Sequence, residues 1–322
     1  MARVLTGIQS TGIPHLGNLL GAIIPTIQMS KEDGNEVFSF IADMHSLTGI
    51  KDGAVIRENT YAVAATWLAF GIDIEKNVFY RQSDVPEVTE LAWYLNCFMP
   101  FNRLQLAHSF KDKSDRASEV NAGLFSYPML MSADILLYDA EIVPVGKDQT
   151  QHLEFTRDVA GKVNHQYGEI FTIPEISLNG KGMYVPGVDG QKMSKSYGNT
   201  VNIFLPDKKL RNVIMKIKTD NKGLEDPKNP ENCTIFTLYA LLANDEQIVE
   251  MKQNYLGVNY GYGHAKQALF ELIIEKFSAE RKLYNELMAD KKLLDKKLAI
   301  GAKKAREIAK VTLQRVRAVL GY

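Results

Sequence analysis

Short β-rich runs alternate with longer stretches whose apolar residues recur at helical spacing through the first half of the chain. Val4 to Ile8, Val37 to Ala42, Val78 to Arg81 and Ile142 to Val145 read as strands. Gly17 to Met29, Ala54 to Phe70, Val88 to Phe98 and Asn121 to Tyr138 read as helices between them. That alternation predicts an α/β domain, a parallel sheet wound with crossover helices, with ligands at the carboxyl ends of the strands. After Pro206 the strand-like runs stop. A charged loop, Thr219 to Cys233, carries Pro227 and Pro230 and precedes a remainder that reads as almost wholly helical. Within it, Leu269, Ile273, Phe277, Leu283, Tyr284 and Leu287 fall on one stripe of a long helix expected over Ala268 to Met288. The pattern thus predicts two domains, 1–206 built on a parallel sheet and 207–322 all helical.

Composition changes this picture little. The 322 residues are 45% apolar and 24% charged, the profile of a globular protein long enough for a larger domain and a smaller one. Cys97 and Cys233 are the two cysteines, too few for a disulfide framework or a four-thiolate metal site, and both are expected to be reduced and largely buried. The start, MARVLTGIQSTG, is neither a secretory signal nor a membrane span, so a cytoplasmic protein with no membrane partner is expected. Net charge is zero, with 38 basic and 38 acidic residues. From Lys291 onward, however, Lys291, Lys292, Lys296, Lys297, Lys303, Lys304, Arg306, Lys310, Arg315 and Arg317 face only Asp295 and Glu307. On charge alone a solvated helix face is the simpler account of this excess, and a track for a phosphate backbone is the other.

Two segments carry chemistry. GIQSTGIPHLGNLLGA, residues 7–22, turns from strand to helix through Gly7, Gly12, Pro14 and Gly17, with His15 and Asn18 three apart and so on one helical face. The helix start suits phosphate, and Gly17 leaves room for a flat ring against the backbone. Taken alone, the same residues also suit an ordinary strand end. GQKMSKSYGN, residues 190–199, places Lys192 and Lys195 three apart in a Gly- and Ser-rich loop. Two ammonium groups there suit the charge that builds on a triphosphate as pyrophosphate leaves, and an exposed loop with surface lysines is the plainer alternative.

HLGN followed by KMSKS resembles the two ATP-binding signatures of class I aminoacyl-tRNA synthetases, in order and separation, over the first two thirds of the chain. Three further segments are similar to tryptophanyl-tRNA synthetases: ADMHSLTG (42–49), GLFSYPMLMSADILLY (123–138) and EIVPVGKDQTQHLEFTRD (141–158). The resemblance implies a Rossmann-like catalytic domain over 1–206, ending in the lysine loop, and a helical anticodon- and tRNA-binding region over 207–322. It implies a tryptophan–tRNA ligase that makes tryptophanyl-AMP from L-tryptophan and ATP, then charges tRNA(Trp), as a homodimer. ATP would arrive with Mg2+, and no protein-bound structural metal is expected.

The resemblance also distributes roles. His15, Asn18, Lys192 and Lys195 are the expected catalytic groups. Gln9, Gly146 and Asp148 would meet the ribose, and Met183 and Met193 the adenine. Ser10, Thr11, Gly17, Lys147, Ser194 and Ser196 complete the expected ATP-binding set. For tryptophan, Asp134 would accept the indole N–H, as an ionised carboxylate can, while Met131, three residues earlier on the same helix, packs on the ring. Leu5, Val143 and Val145 would supply flat apolar walls, Tyr127 and Gln149 would hold the α-amino group, and His45 would lie near the same pocket. Many relatives read TIGN, VGEDQ and KKMSKSDPN where this chain reads HLGN, VGKDQ and QKMSKSYGN, so Lys147 stands where an acidic residue is common. A tyrosyl-tRNA synthetase is the nearest rival, set aside on the segment around Asp134. A small-molecule nucleotidyltransferase and a non-catalytic tRNA-binding relative are set aside on the basic helical end and on the intact signatures respectively.

Overall fold

A computed structural model describes residues 2–107, 120–146, 149–178 and 184–322. The chain forms two compact units, one of Met1–Ile13, Thr26–Gly182 and Met288–Tyr322, the other of Pro14–Pro25 and Met183–Leu287. These units do not divide at residue 206. A short piece after the first strand and the stretch holding the lysine loop belong with the helices of the second unit, while the last helix belongs with the sheet.

The first unit is built on β1 (Ala2–Gln9), β2 (Asn35–Ala42), β3 (Val78–Arg81), β4 (Ile142–Val145) and β5 (Glu175–Leu178), all parallel, in the order β3-β2-β1-β4-β5. β3 and β4 match the expected spans, and β5 is an addition at the edge. Strand order reverses between β1 and β4, which is where such sheets bind ligands. Val4, Leu5, Val37, Phe38, Phe79, Val143 and other apolar strand residues are buried, as a sheet covered on both faces requires. Its longer helices ahead of the second unit's are α1 (Gly53–Ala69), α2 (Glu87–Phe98), α3 (Ala122–Leu136) and α4 (Thr150–Tyr167). Asp52 starts α1 by accepting from the Ala54 and Val55 N–H groups, and Asn121 starts α3 by accepting from Leu124. Cys97, on α2, is exposed, contrary to expectation, because it lies off the side that Val88, Leu91, Ala92 and Leu95 bury; Cys233 is buried as expected.

The second unit contains α5 (Asp207–Met215), α6 (Thr234–Ala240), α7 (Asp245–Leu256), α8 (Tyr262–Lys276) and α9 (Ser278–Ala289). The single helix expected over Ala268 to Met288 is therefore two, parted at Phe277, whose backbone (φ −108°, ψ 21°) leaves the helical region while its ring is buried. Arg281 ties α9 to the segment before α5, donating to the Ile203 carbonyl (2.6 Å) and the Leu205 carbonyl (3.1 Å) and pairing with Asp207.

The 30-residue α10 (Lys291–Leu320) belongs to the first unit. Leu294, Leu298, Ala302, Ala305, Ala309, Leu313 and Val316 bury one side of it. Gly301 touches β3 so closely that a Cβ would lie 1.8 Å from the Phe79 carbonyl oxygen, so only glycine permits this approach. Half of its basic residues are committed: Lys291 to Glu58, Lys304 to the carbonyls of Ile74 and Glu75, Arg306 to Glu87, Arg315 to Asp139 and Arg317 to Glu90.

Candidate active site

In the second unit the HLGN and KMSKS segments meet. His15 caps the helix that begins at Leu16: its Nδ1 accepts from the Asn18 N–H (3.3 Å) while the Asn18 Oδ1 accepts from the His15 N–H (3.2 Å). An accepting Nδ1 puts the ring proton on Nε2, which leaves that nitrogen as a donor suited to a phosphate oxygen. Burial, and then the Lys195 charge, lower the His15 pKa to about 4, so the ring is neutral near pH 7. The turn continues as a π-helix, Leu19–Ile23, before Ile24–Met29 resumes α-helical geometry.

Gly17 is packed against the lysine loop. Its N–H donates to the Met193 thioether (3.4 Å), and an added Cβ would stand 3.0 Å from His15 Nδ1. Asn199, buried, shapes the loop from within. Its Oδ1 accepts from the Ser194 N–H (2.8 Å), and its Nδ2 donates to Asp189 (2.7 Å) and to the Lys192 carbonyl (3.1 Å). Ser194 in turn accepts from the Ser196 N–H at the start of a short 3₁₀ turn over Lys195–Tyr197, so the loop has a defined frame. Lys192 is exposed, while Lys195 is half-buried.

Burial lowers the Lys195 pKa to about 8. The ammonium is charged below that pH and loses its proton as pH rises through it, whereas bound triphosphate favours the charged form. ATP affinity is therefore expected to fall as pH rises above about 8, and Lys195→Arg, always charged, to hold its affinity there. Isothermal titration of ATP across that range checks this; a wild-type affinity that stays level to about pH 9 contradicts it.

In the first unit, His45, Tyr127 and Asp134 come together beyond the carboxyl ends of β2 and β3. Asp134, 2% exposed on α3, accepts from His45 Nε2 (3.0 Å) and from Gln82 Nε2, which stands 2.8 Å from both carboxylate oxygens. Burial raises its pKa, and the bonds from His45 and Gln82 oppose that rise. The Tyr127 ring lies edge-on to His45 with centroids 6.1 Å apart, and its hydroxyl bonds His152 Nε2 (2.8 Å). Met131 is half-buried against the core that contains Leu5, Val143 and Val145. Gln149, half-buried, precedes the first turn of α4.

Other expected positions spread more widely. Gln9, Thr11 and Gly146 are exposed, but the Ser10 side chain turns inward, its hydroxyl bonded to Ser46 (3.0 Å). Lys147, Asp148 and Met183 lie outside the described residues. Gln82 and His152 were not foreseen, since an uncharged amide at a strand end and a histidine on an amphipathic helix carry no spacing signature. Among the described residues no three His, Cys, Asp or Glu side chains converge as a metal site, and no helix is long and apolar enough to cross a membrane.

The first unit thus carries a parallel sheet with a switch point between β1 and β4, and the second a histidine-capped turn whose glycine packs on the lysine loop. Residues 1–278 match the family model described as tRNA synthetases class I (W and Y). The chain is 46% identical over 322 residues, all of its length and 98% of the relative's, to a tryptophan–tRNA ligase of Fusobacterium nucleatum. It is similar at TM-score 0.95 and 46% identity to the crystal structure of a Campylobacter jejuni tryptophanyl-tRNA synthetase complexed with ADP and tryptophan, covering 99% of this chain and 100% of that one. A tyrosyl-tRNA synthetase of Archaeoglobus fulgidus, 18% identical with a TM-score of 0.67, shares the fold. The chain belongs to the class I tRNA synthetases of the tryptophan and tyrosine family.

Proposed function

We propose that this chain is a tryptophan–tRNA ligase, which converts L-tryptophan and MgATP to tryptophanyl-AMP and pyrophosphate and then transfers tryptophan to tRNA(Trp). The observation that carries this reading is the buried Asp134 carboxylate, an acceptor in an apolar helix where an amino acid with one ring N–H is the matching donor. The tryptophan carboxylate attacks the α-phosphorus in line, and catalysis comes from positioning and charge stabilisation rather than a protein nucleophile. His15 Nε2 and Asn18 orient the phosphates. Lys192 and Lys195 meet the charge that grows on the departing pyrophosphate. Gln9, Gly146 and Asp148 would hold the ribose and Met183 and Met193 the adenine, with closure of the lysine loop tying chemistry to correct binding.

Charging of a tRNA(Trp) transcript with labelled tryptophan tests the reaction, and charging that depends on a different amino acid contradicts it. Homodimerisation and a cytoplasmic setting belong to the same reading.

We also assign tRNA contacts within 207–322 to α10. Removing the whole helix is a poor test, because its buried side completes the first unit. Lys292, Lys296, Lys303 and Lys310, all exposed, recur at intervals of four and seven residues and so align along one face. Replacing these four with alanine is expected to weaken tRNA binding and to reduce the salt slope by about one for each phosphate no longer neutralised, leaving tryptophan-dependent pyrophosphate exchange intact. Unchanged tRNA affinity and salt slope in the quadruple variant would overturn the assignment.

A further inference from the structure

We propose that Gln82 is a positioning residue for amino-acid selection: its carboxamide fixes the orientation and the charge of Asp134, so that one lone-pair direction of the carboxylate remains for a single N–H donor. The inference rests on Asp134 being the reader of the indole.

Gln82 is 1% exposed, directly after the last residue of β3. Its Oε1 accepts from the Met44 N–H (3.2 Å), a donor shared with Asp43 Oδ1 (3.0 Å). That bond decides which way the amide points. Turned over, the side chain would set Oε1 against a carboxylate and its NH₂ against an N–H, an unfavourable contact at each end. In the observed orientation Nε2 faces both Asp134 oxygens at 2.8 Å, and His45 Nε2 takes Oδ2 from another side. The next residue is also held: Ser83 N–H donates to Asp43 Oδ1 (3.0 Å), which secures the short 3₁₀ turn that presents Gln82.

An ionised carboxylate has about four acceptor directions. Gln82 fills two and His45 one, which leaves one for a ligand. A protonated Asp134 would offer an O–H instead, reversing the selection from a donor to an acceptor. Four groups besides Gln82 face this carboxylate. His45 favours its charge, Asp43 disfavours it, and the Tyr80 and Tyr138 phenols are raised in pKa chiefly by their own burial and further by the Asp134 charge. Burial favours the neutral form, and Gln82 is one of the few donors opposing it.

The test is tryptophan- and phenylalanine-dependent pyrophosphate exchange across pH for wild type, Gln82→Met and Gln82→Glu, with urea unfolding of each. Gln82→Met keeps length and apolar bulk but donates nothing. It is expected to raise KM for tryptophan by about tenfold or more with a smaller effect on kcat, to lower the tryptophan-to-phenylalanine ratio of kcat/KM by a similar factor, and to move the acid limb of kcat/KM upward by about one pH unit. Gln82→Glu keeps the shape and sets a second carboxyl against Asp134, which should move that limb further, as carboxyls sharing a site do. A merely structural role would lower rates for both amino acids together and leave the limb in place. That outcome, or an unchanged ratio in whichever variant folds, overturns the proposal. If Asp134→Ala lowers the ratio and the Gln82 variants do not, the inference about Gln82 fails alone; if Asp134→Ala leaves the ratio intact, both fail.

Discussion

Asp134→Ala is expected to abolish most of the discrimination between tryptophan and phenylalanine. A site built to accept a substrate N–H can reject an analogue lacking it by about 10⁴-fold or more, whereas the fit of an apolar pocket to one methylene gives about 10- to 200-fold. With the carboxylate removed, the ratio of kcat/KM for the two amino acids should fall from the first range toward the second. The alanine also leaves Gln82 Nε2 and His45 Nε2 facing each other with no acceptor between them, a loss of about 1–3 kcal/mol of stability. The selectivity ratio is insensitive to that loss, because both substrates compete for the same folded fraction. Steady-state pyrophosphate exchange with each amino acid checks it, and an unaltered ratio removes Asp134 from the reading of the substrate.

Lys195→Ala should slow adenylate formation by about 10²- to 10³-fold while changing tryptophan binding little, by analogy with the loss of a single oxyanion donor. The 3₁₀ turn at Ser194 and the Asn199 brace frame the backbone that carries the half-buried Lys195. Its charge also lies close enough to depress the His15 pKa, which puts both groups within reach of one polyphosphate. Single-turnover measurement of activation at saturating ATP separates chemistry from binding, and an unchanged rate there contradicts the assignment.

The parts of the fold that were legible in the sequence are those with strong local periodicity. Val78 to Arg81 and Ile142 to Val145 form strands over the expected residues, because β-branched and aromatic runs bounded by turns leave little alternative. β5 was not foreseen: Glu175–Leu178 is no longer than β3 or β4 are, and its one β-branched residue, Ile176, stands between polar neighbours, so it lacks their apolar run. The break at Phe277 was hidden because the apolar stripe runs on across it, α8 and α9 burying the same kind of residue on either side. Charge counting along α10 overstated its free positive charge, since Glu58, Glu87, Glu90 and Asp139, remote in sequence, neutralise part of it.

The site divides along the same line. HLGN and KMSKS are local motifs, and the contact between Gly17 and Met193 brings them together. Asp134 stood out as a carboxylate in an apolar helix. Its two partners did not, because Gln82 and His45 reach it across 52 and 89 residues of chain, and nothing local in either segment marks the meeting. Ser10 illustrates the converse, a polar residue inside a signature whose hydroxyl is used in packing against Ser46.

The most direct measurement of the central claim is amino-acid-dependent exchange of labelled pyrophosphate into ATP, run with the purified chain and each of the twenty amino acids in turn. Exchange that depends on tryptophan, with tyrosine and phenylalanine near background, is the expected result. Exchange driven by tyrosine or another amino acid in preference to tryptophan, or none with any of the twenty, would contradict it.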